Sequence, residues 1–480
     1  TVEETFDLCE KGEYPSHDSF TNRTGSSTTR SLTSRQRKEG TVKIFGDGKQ
    51  WSSLLGSDEI HSNERFPRLI RRAHQLWDEL FAVSETNYND DAVPLADNTP
   101  KPKDDMALSA FVEDKMKLES REDIDTVKDI MDAIYAKTAG TSIDMYGVNE
   151  ASREEQNWDY TECNFRTKGC FADLIAYHLD KINSINLHTK TGDGNVHIDL
   201  ITDCPIDTIE SLQIHPNSLG IKLSSAQADT SFIADKAIVS VPLAVLKADK
   251  IKFNGDFALP TDKRQAINKV NMMSGMKAHI LLRKKTDILE RVDTMECTEL
   301  IFCPGEIFAQ VWLRRDETSV FITGFVVADD RDTLKRRITS GDSAKFLFLD
   351  QLNRMFMDDE GRSAFINSGM PTCSAFALHD WSEDEYIMGT YSSPSVGAGW
   401  GQTNSDICPT EVTSATRSDA LPIAETCRHC LAKPIKNTIF FAGEHTNIKT
   451  CATVQAAMES GNLAAVEVIK SLGDYRGGFN

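Results

Sequence analysis

Apolar residues recur along this chain with two different periods, and the changes of period mark where helices should give way to strands. Phe66 to Phe81 sets Phe66, Leu69, Ile70, Ala73, Leu76, Trp77 and Leu80 on one side of a helix, with most of the charges opposite. The same spacing over Ile124, Val127, Ile130, Met131 and Ile134 predicts helices across 106–116 and 121–137. Gly169 opens a further helix over Phe171 to Leu179, followed by a short strand at Ile185-Asn186-Leu187, and Phe346 to Met357 reads as a helix with its leucines and aromatics inward. Partial alternation predicts strands at Ala237–Val241, His279–Leu282, Ile307–Leu313, Ser319–Val327 and Ala375–His379. Asn87 to Asp105 reads as a loop, and the polar stretch from Asp193 to Asp229 as hairpin and loop. Residues 1–43 carry little periodicity, and Ser26 to Arg37 reads as an exposed, disordered linker.

A chain of 480 residues with 40% apolar and 26% charged residues is globular and long enough for at least two domains. Its formal charge of −20 argues against a duplex nucleic acid footprint and favours encounter with cationic small molecules or basic peptide tails. Eleven cysteines without regular spacing favour a reducing, intracellular compartment. Cys427 and Cys430 form a CxxC around His429, but with Cys408 as third ligand a zinc site would still lack its fourth, so no metal is expected. No run of eighteen apolar residues exists to span a membrane. The chain begins with Thr1 and no signal-like apolar segment, which suggests a processing or expression boundary. Gly397, Gly399 and Gly401 do not have phosphate-cradle spacing and read as a loop.

The most informative stretch is Asn437 to Thr446. Apolar residues to Phe441 read as a buried strand, Gly443 permits a tight exit, and Glu444 follows at the strand's C-terminal edge. A small-residue helix then begins near Thr453 and continues to about Ser471. Strand, glycine, carboxylate and helix N-terminus form the crevice in which open α/β sheets hold a ligand. The run FAGEHT, five residues, then Ala452-Thr453-Val454 resembles the closing motif of the flavin-dependent amine oxidases, in particular the polyamine oxidase and lysine-specific histone demethylase branch. Val241-Pro242-Leu243-Ala244-Val245-Leu246-Lys247, with Ile251, Phe253, Leu259-Pro260, Lys263 and Ala266-Ile267, resembles the family's crossing between domains, with Ala244 where Gly is usual. Trp381 and Gly389-Thr390-Tyr391 resemble its tryptophan and Gly-x-Tyr segment, and Gly169-Cys170 is a partial match to a Gly-Gly turn.

The resemblance implies an α/β FAD-binding fold with a discontinuous α+β substrate-binding domain. The expected divisions are a flexible segment 1–43, a mainly helical substrate part 44–156, an FAD part 157–250, the substrate sheet and helices 251–380, a closing FAD part 381–474 and a tail 475–480. It also implies roles for particular residues. Lys277 would hold a water near flavin N5, and Tyr391 would stand beside the flavin face. Thr453 takes the place of the second cage tyrosine of monoamine oxidases. Glu444, Gly443, Thr453, Val454, Trp381 and Pro242 would contact or position the cofactor. Thr390 stands where those enzymes carry a flavin-linking cysteine, so the FAD would be non-covalent. His445 reads as a packing group rather than a base. The reaction implied is amine oxidation by hydride transfer, with imine hydrolysis and peroxide release.

One family piece is missing from the sequence. No GxGxxG with its acid, and no Gly-Gly-Arg segment, is found, and Thr1 to Lys43 is too polar for a βαβ unit. The fold is therefore expected to be incomplete at its N-terminal unit, and FAD to bind poorly to the isolated chain. A fragment of a longer oxidase, a shortened nucleotide half, or an inactive scaffold completed by a second polypeptide all stay open.

Overall fold

The structure is a computed structural model, and it describes residues 42–46, 49–52, 64–85, 105–157, 171–188, 197–215, 218–283, 300–315, 319–356, 366–367, 370–371, 375–398, 426–448 and 450–472. The expectations for the 1–41 segment, the 87–104 loop, Gly169-Cys170, Gly399, Gly401 and Cys408 lie outside these residues.

The first elements are a hairpin of β1 (Val42–Gly46) and β2 (Lys49–Ser52), then helices α1 (Arg65–Glu85), α2 (Leu108–Lys115), α3 (Arg121–Met131) and α4 (Val148–Asn157). Amphipathic spacing produces α1 as expected: Phe66, Leu69, Ile70, Ala73, Leu76 and Trp77 are all buried. Trp77 stacks on Tyr135 at 3.7 Å between ring centroids, which locks α1 to the segment following α3. Ser120 caps α3 by accepting from the amide of Asp123 at 3.2 Å, and acids at 122 and 123 suit the positive end of the helix. The helix then widens into a single π turn, Asp132–Ala136. This helical block shares one core with Ile44, Leu300 and Phe302. The opening hairpin was not expected from the pattern, because four- and five-residue strands rich in Lys, Gly and Gln carry little alternation.

The chain continues through α5 (Phe171–His188), β3 (Thr208–His215), β4 (Ser218–Ser225), β5 (Thr230–Ala234), β6 (Ala237–Val239), α6 (Leu243–Lys247), β7 (Lys252–Asn254), α7 (Thr261–Lys269), β8 (Asn271–Met272) and β9 (Gly275–Arg283). The strand expected at Ile185-Asn186-Leu187 is instead the last part of α5. Ile175, Leu179, Ile182 and Ile185 continue one helical spacing, and that longer period overrides three residues of local strand preference. The β3–β4 hairpin agrees with the polar insertion read from the sequence.

The remaining elements are β10 (Leu300–Phe302), β11 (Gln310–Arg315), β12 (Ser319–Val327), α8 (Asp329–Thr339), α9 (Ala344–Met355), the short pair β13 (Ile366–Asn367) and β14 (Met370–Pro371), β15 (Ala375–Asp380), β16 (Ser392–Ser393), α10 (Cys427–Ala432), β17 (Ile439–Phe441) and α11 (Val454–Ser471). The described residues divide into two compact units. One holds α5, residues 197–206 and the turn at 224–231; the other holds the rest.

A seven-stranded sheet in the order β15-β9-β12-β11-β10-β1-β2 dominates the larger unit. One of its faces is core: Met276, Ala278, Ile280, Leu282, Val311, Leu313 and Val320 pack against Leu334, Phe348, Leu349 and Leu352 of α8 and α9. Gly324 lets the rings approach, since a Cβ there would lie 2.6 Å from Phe308 and 2.7 Å from Phe348. Separately, β6 and β17 pair in parallel, with Ile439 beside Ala237 and Phe441 beside Val239. Ala464 and Val468 of α11 cover this pair at Phe440 and Ala442.

Candidate active site

The turn leaving β17 is built around a carboxylate that draws three segments together. Gly443 has φ +140, and a Cβ on it would fall 2.4 Å from the His445 ring, so the turn requires glycine. Its amide donates to Ser460 Oγ of α11 at 2.9 Å. Glu444 then accepts from the Ser392 amide at 2.9 Å, from Ser392 Oγ at 2.6 Å and from the Ala452 amide at 2.8 Å. These charge-assisted bonds fix β16, the turn and the approach to α11 relative to one another. His445 lies buried beneath them. Burial, with Arg428 and Lys263 nearby, takes its pKa down to about 3, so the ring is neutral.

Thr453 caps α11, accepting from the Ala456 amide at 3.0 Å, while the Ala457 amide bonds to Thr453 O. Among the described residues, the amides of Val454 and Gln455 meet no acceptor, and they stand at the positive end of an eighteen-residue helix. Pro242 precedes the short helix α6 and sets the chain direction into it. Ala244 has an ordinary backbone conformation inside α6, which is why a methyl is tolerated there.

Lys277 projects from β9 on the sheet face opposite the core. Its Nζ lies 5.5 Å from the Phe325 ring centroid and 5.6 Å from that of Trp381. Burial lowers its pKa. His379 meets Trp381 edge to face at 4.7 Å. Register shows what else shares this face, because residues directly paired across strands point the same way. One row runs His379, Lys277, Phe325, Gln310; the next Ala377, His279, Thr323, Trp312; the third Ala375, Leu281, Phe321, Arg314. Trp312 and Phe321 are 42% and 40% exposed, so much of the face is open. At the Gln310 end the helical block closes it: Gln310 Nε2 donates to Ala133 O at 3.0 Å and Thr138 Oγ1 at 2.7 Å.

Tyr391 reaches the same wall, its hydroxyl donating to Thr138 O at 2.8 Å. Thr390 bonds through both amide and hydroxyl to Met273 O, and β16 pairs with β8 at Ser392 and Met272. The segment leading into Lys277 therefore runs beside the segment holding Tyr391 and Ser392, and Ser392 in turn holds Glu444. The structure thus brings Lys277, Trp381, Tyr391, Gly443, Glu444, Thr453 and Val454 into one connected arrangement, with Pro242 and Ala244 one step removed at Met272.

Sequence reasoning missed the support beneath it. Arg428 and Glu150 are wholly buried and joined at 2.6 Å. Arg428 also donates to Ser392 Oγ at 2.6 Å, and Glu150 accepts from the Ser395 amide at 2.7 Å. Lys137, 1% exposed, meets Asp132 at 3.3 Å, Asp329 at 2.7 Å and Asp330 at 3.0 Å. Within the CxxC, Cys430 is disulfide-bonded while Cys427 is buried and outside any disulfide. The described residues contain no group of three or more His, Cys, Asp or Glu able to hold a metal ion, and no helix long and apolar enough to cross a membrane.

A parallel strand pair closed by a glycine turn and a capped helix thus stands with a broad, mainly antiparallel sheet in the larger unit. The family described as flavin containing amine oxidoreductase matches residues 196–469, more than half of the chain, and the chain belongs to that family. It is 24% identical over 348 residues to lysine-specific histone demethylase 1 homolog 3 of Arabidopsis thaliana, covering 68% of this chain and 19% of that protein. It is 25% identical over 254 residues to polyamine oxidase 3 of Oryza sativa subsp. japonica, covering 53% of this chain and 42% of that one. The chain thus spans less than half the length of these curated relatives. Among solved structures, cyclohexylamine oxidase from Brevibacterium oxydans superposes with a TM-score of 0.58 at 17% identity, over 91% of this chain and 82% of the other. Wild-type putrescine oxidase bound to putrescine gives 0.56 at 16% identity, over 90% and 81%. These likenesses establish the α/β FAD-binding fold.

FAD is the cofactor of this family, and the residues here fit one held without a covalent bond. The two α11 amides would supply donors to a ring that gains negative charge, Lys277 is desolvated by burial, and Thr390 offers no thiol for a covalent link. Among the described residues, no glycine-rich strand-to-helix turn is seen beside β6 for the ADP end.

Proposed function

We propose that this chain oxidises an amine, polyamine-like or lysine-like in the broad sense that the reacting group is an alkyl amine. The observation that carries this reading is the connected arrangement from Lys277 through β8 and β16 to Glu444 and the uncapped amides of α11. When bound, FAD would supply the hydride acceptor at N5, with oxygen as final oxidant released as peroxide and water hydrolysing the imine product. The chain's own residues do the rest. The amides of Val454 and Gln455, reinforced by the helix dipole, stabilise negative charge at the ring's edge. The Lys277 ammonium, desolvated between Trp381 and Phe325, orients a water on the reacting side. Tyr391, held by Thr138 O, confines the amine, and Thr453 leaves open the side opposite. Glu444 positions the turn through Ser392 and Ala452 and has acceptor capacity left for a ribityl hydroxyl. No neighbouring base is needed, because an amine that arrives uncharged can lose hydride directly.

The test is anaerobic bleaching of FAD, supplied in excess because weak binding by the isolated chain is expected, at about 450 nm on mixing with amine, followed in wild type, Lys277→Met and Tyr391→Ala. Bleaching in wild type that is lost in both variants is expected. A chain that retains FAD and is bleached by no amine would overturn the reading.

A second reading has its own observation. Leu463, Val466, Ile469 and Leu472 of α11 are 59%, 44%, 43% and 53% exposed, and Ile238 of β6 is 43% exposed. An apolar row of this kind at a short parallel sheet favours a covering element, which a second polypeptide could supply. The chain would then be a scaffold completed by its partner. A native mass of the assembly reports both FAD and any second chain.

A further inference from the structure

The open sheet face carries a chemical signature that bears on substrate choice. Across four strands and three rows of paired positions there is no carboxylate, and the charged or ionisable groups present are Lys277, His279, His379 and Arg314. Two of the acids that follow His379 in sequence are held elsewhere. Asp380 follows His379 on β15, so it lies on the opposite face, where it accepts from Arg331 Nε at 3.1 Å, and Glu383 is paired with Lys335. A polyamine or basic peptide tail brings further ammonium groups that must be paired when they leave water. On this face they would meet Lys277 instead, a like charge. The same positions offer flat, polarisable surface. His279 stacks on Phe321 at 5.1 Å and bonds to Thr323 at 3.0 Å, which fixes its ring, and across Thr323 the same row ends in the exposed Trp312. Ala375 and Ala377 are small and leave the adjoining edge low.

We infer that the site takes a monoamine whose remainder is uncharged and flat, an aryl or cycloalkyl group lying on Trp312, Phe321 and His279, and that it rejects polycations. This rests on the amine-oxidase reading above and puts a monoamine in place of its polyamine-like substrate. Binding is measured without turnover, by isothermal titration calorimetry of the full chain with 2-phenylethylamine and with spermidine. Wild type is expected to bind 2-phenylethylamine at least tenfold more tightly. Trp312→Leu should erase most of that preference. His379→Glu, on an exposed edge strand that accepts a carboxylate without repacking, should bring spermidine to within a few-fold of the arylamine. Spermidine binding wild type as tightly as 2-phenylethylamine, or neither amine binding, would overturn the inference. Bleaching of FAD separates the two ideas. Preference for the arylamine without bleaching defeats only the oxidase reading, whereas bleaching with spermidine preferred defeats only this one.

Discussion

Replacing Arg428 with Met tests the buried support of the site. Both partners of the Arg428–Glu150 pair have side chains that are 0% exposed, with Arg428 Nε 2.6 Å from the carboxylate. Removing the guanidinium takes the counter-charge from the Glu150 carboxylate, which also accepts from the Ser395 amide, in a dry interior. Breaking one side of such a pair costs roughly 3–5 kcal/mol, because the surviving charge is uncompensated. The same change also removes a donor to Ser392 Oγ and one to His445 O. Arg428→Met should therefore lower stability by about 4 kcal/mol. Glu150→Met leaves the opposite charge and should cost a similar amount. The double variant removes both charges and fills the space with apolar atoms, so it should recover at least about 2 kcal/mol relative to the sum of the singles. Urea unfolding followed by circular dichroism gives all four corners of the cycle. Single variants that cost under about 1 kcal/mol, or a double variant that is merely additive, would show that the pair is not the buried ion pair described.

The pH dependence has a defined sign. Burial raises the pKa of Asp132 to about 7 and that of Asp330 to about 6, despite Lys137 opposing both. A carboxyl whose folded pKa is raised contributes stability below its unfolded value that is lost as pH climbs through the folded one. Unfolding midpoints should therefore fall from pH 4 to pH 8 more steeply in wild type than in Asp132→Asn; equal slopes would refute this. Gly443→Ala must hold a side chain at φ +140 with its Cβ on the His445 ring. It should cost at least about 2 kcal/mol and reduce FAD retention, which equilibrium dialysis measures. Tyr391→Phe removes the hydroxyl's bond to Thr138 O and should cost about 1 kcal/mol in urea; no change would mean that water replaces that bond.

What the sequence disclosed divides by distance along the chain. Helix α1 was legible because seven apolar residues within sixteen positions share one face, and β17, Gly443, Glu444 and α11 because strand, turn and cap follow each other within a few residues. The wall around Tyr391 was less so, since its partner Thr138 lies 253 positions away. Glu150 and Arg428, 278 positions apart, were invisible. Nothing in the sequence around Glu150 marks it, and Arg428 sits within a CxxC whose interest lay in its thiols. The Lys137 cluster is similar, joining a helix end to Asp329 across 192 positions. Periodicity reports which side of an element is buried, but a buried charge is legible only once its counter-ion is placed.

The chain's overall charge and its sheet face act on an amine in opposite ways, and the two together define what can enter. A net charge of −20 raises the local concentration of any cation, so a protonated amine is drawn in whatever its remainder. At the face itself the selection reverses, because Lys277 and the rows beside it offer a second ammonium no carboxylate. Salt separates the two effects. Long-range attraction is screened over about 8 Å at physiological ionic strength, whereas the contacts between Lys277, Trp381 and Phe325 are shorter than that and partly desolvated. Raising salt should thus weaken association of all amines, spermidine most, and leave the arylamine preferred, as stopped-flow and calorimetry would record. An arylamine preference that disappears with added salt would place the discrimination in the global field rather than on this face.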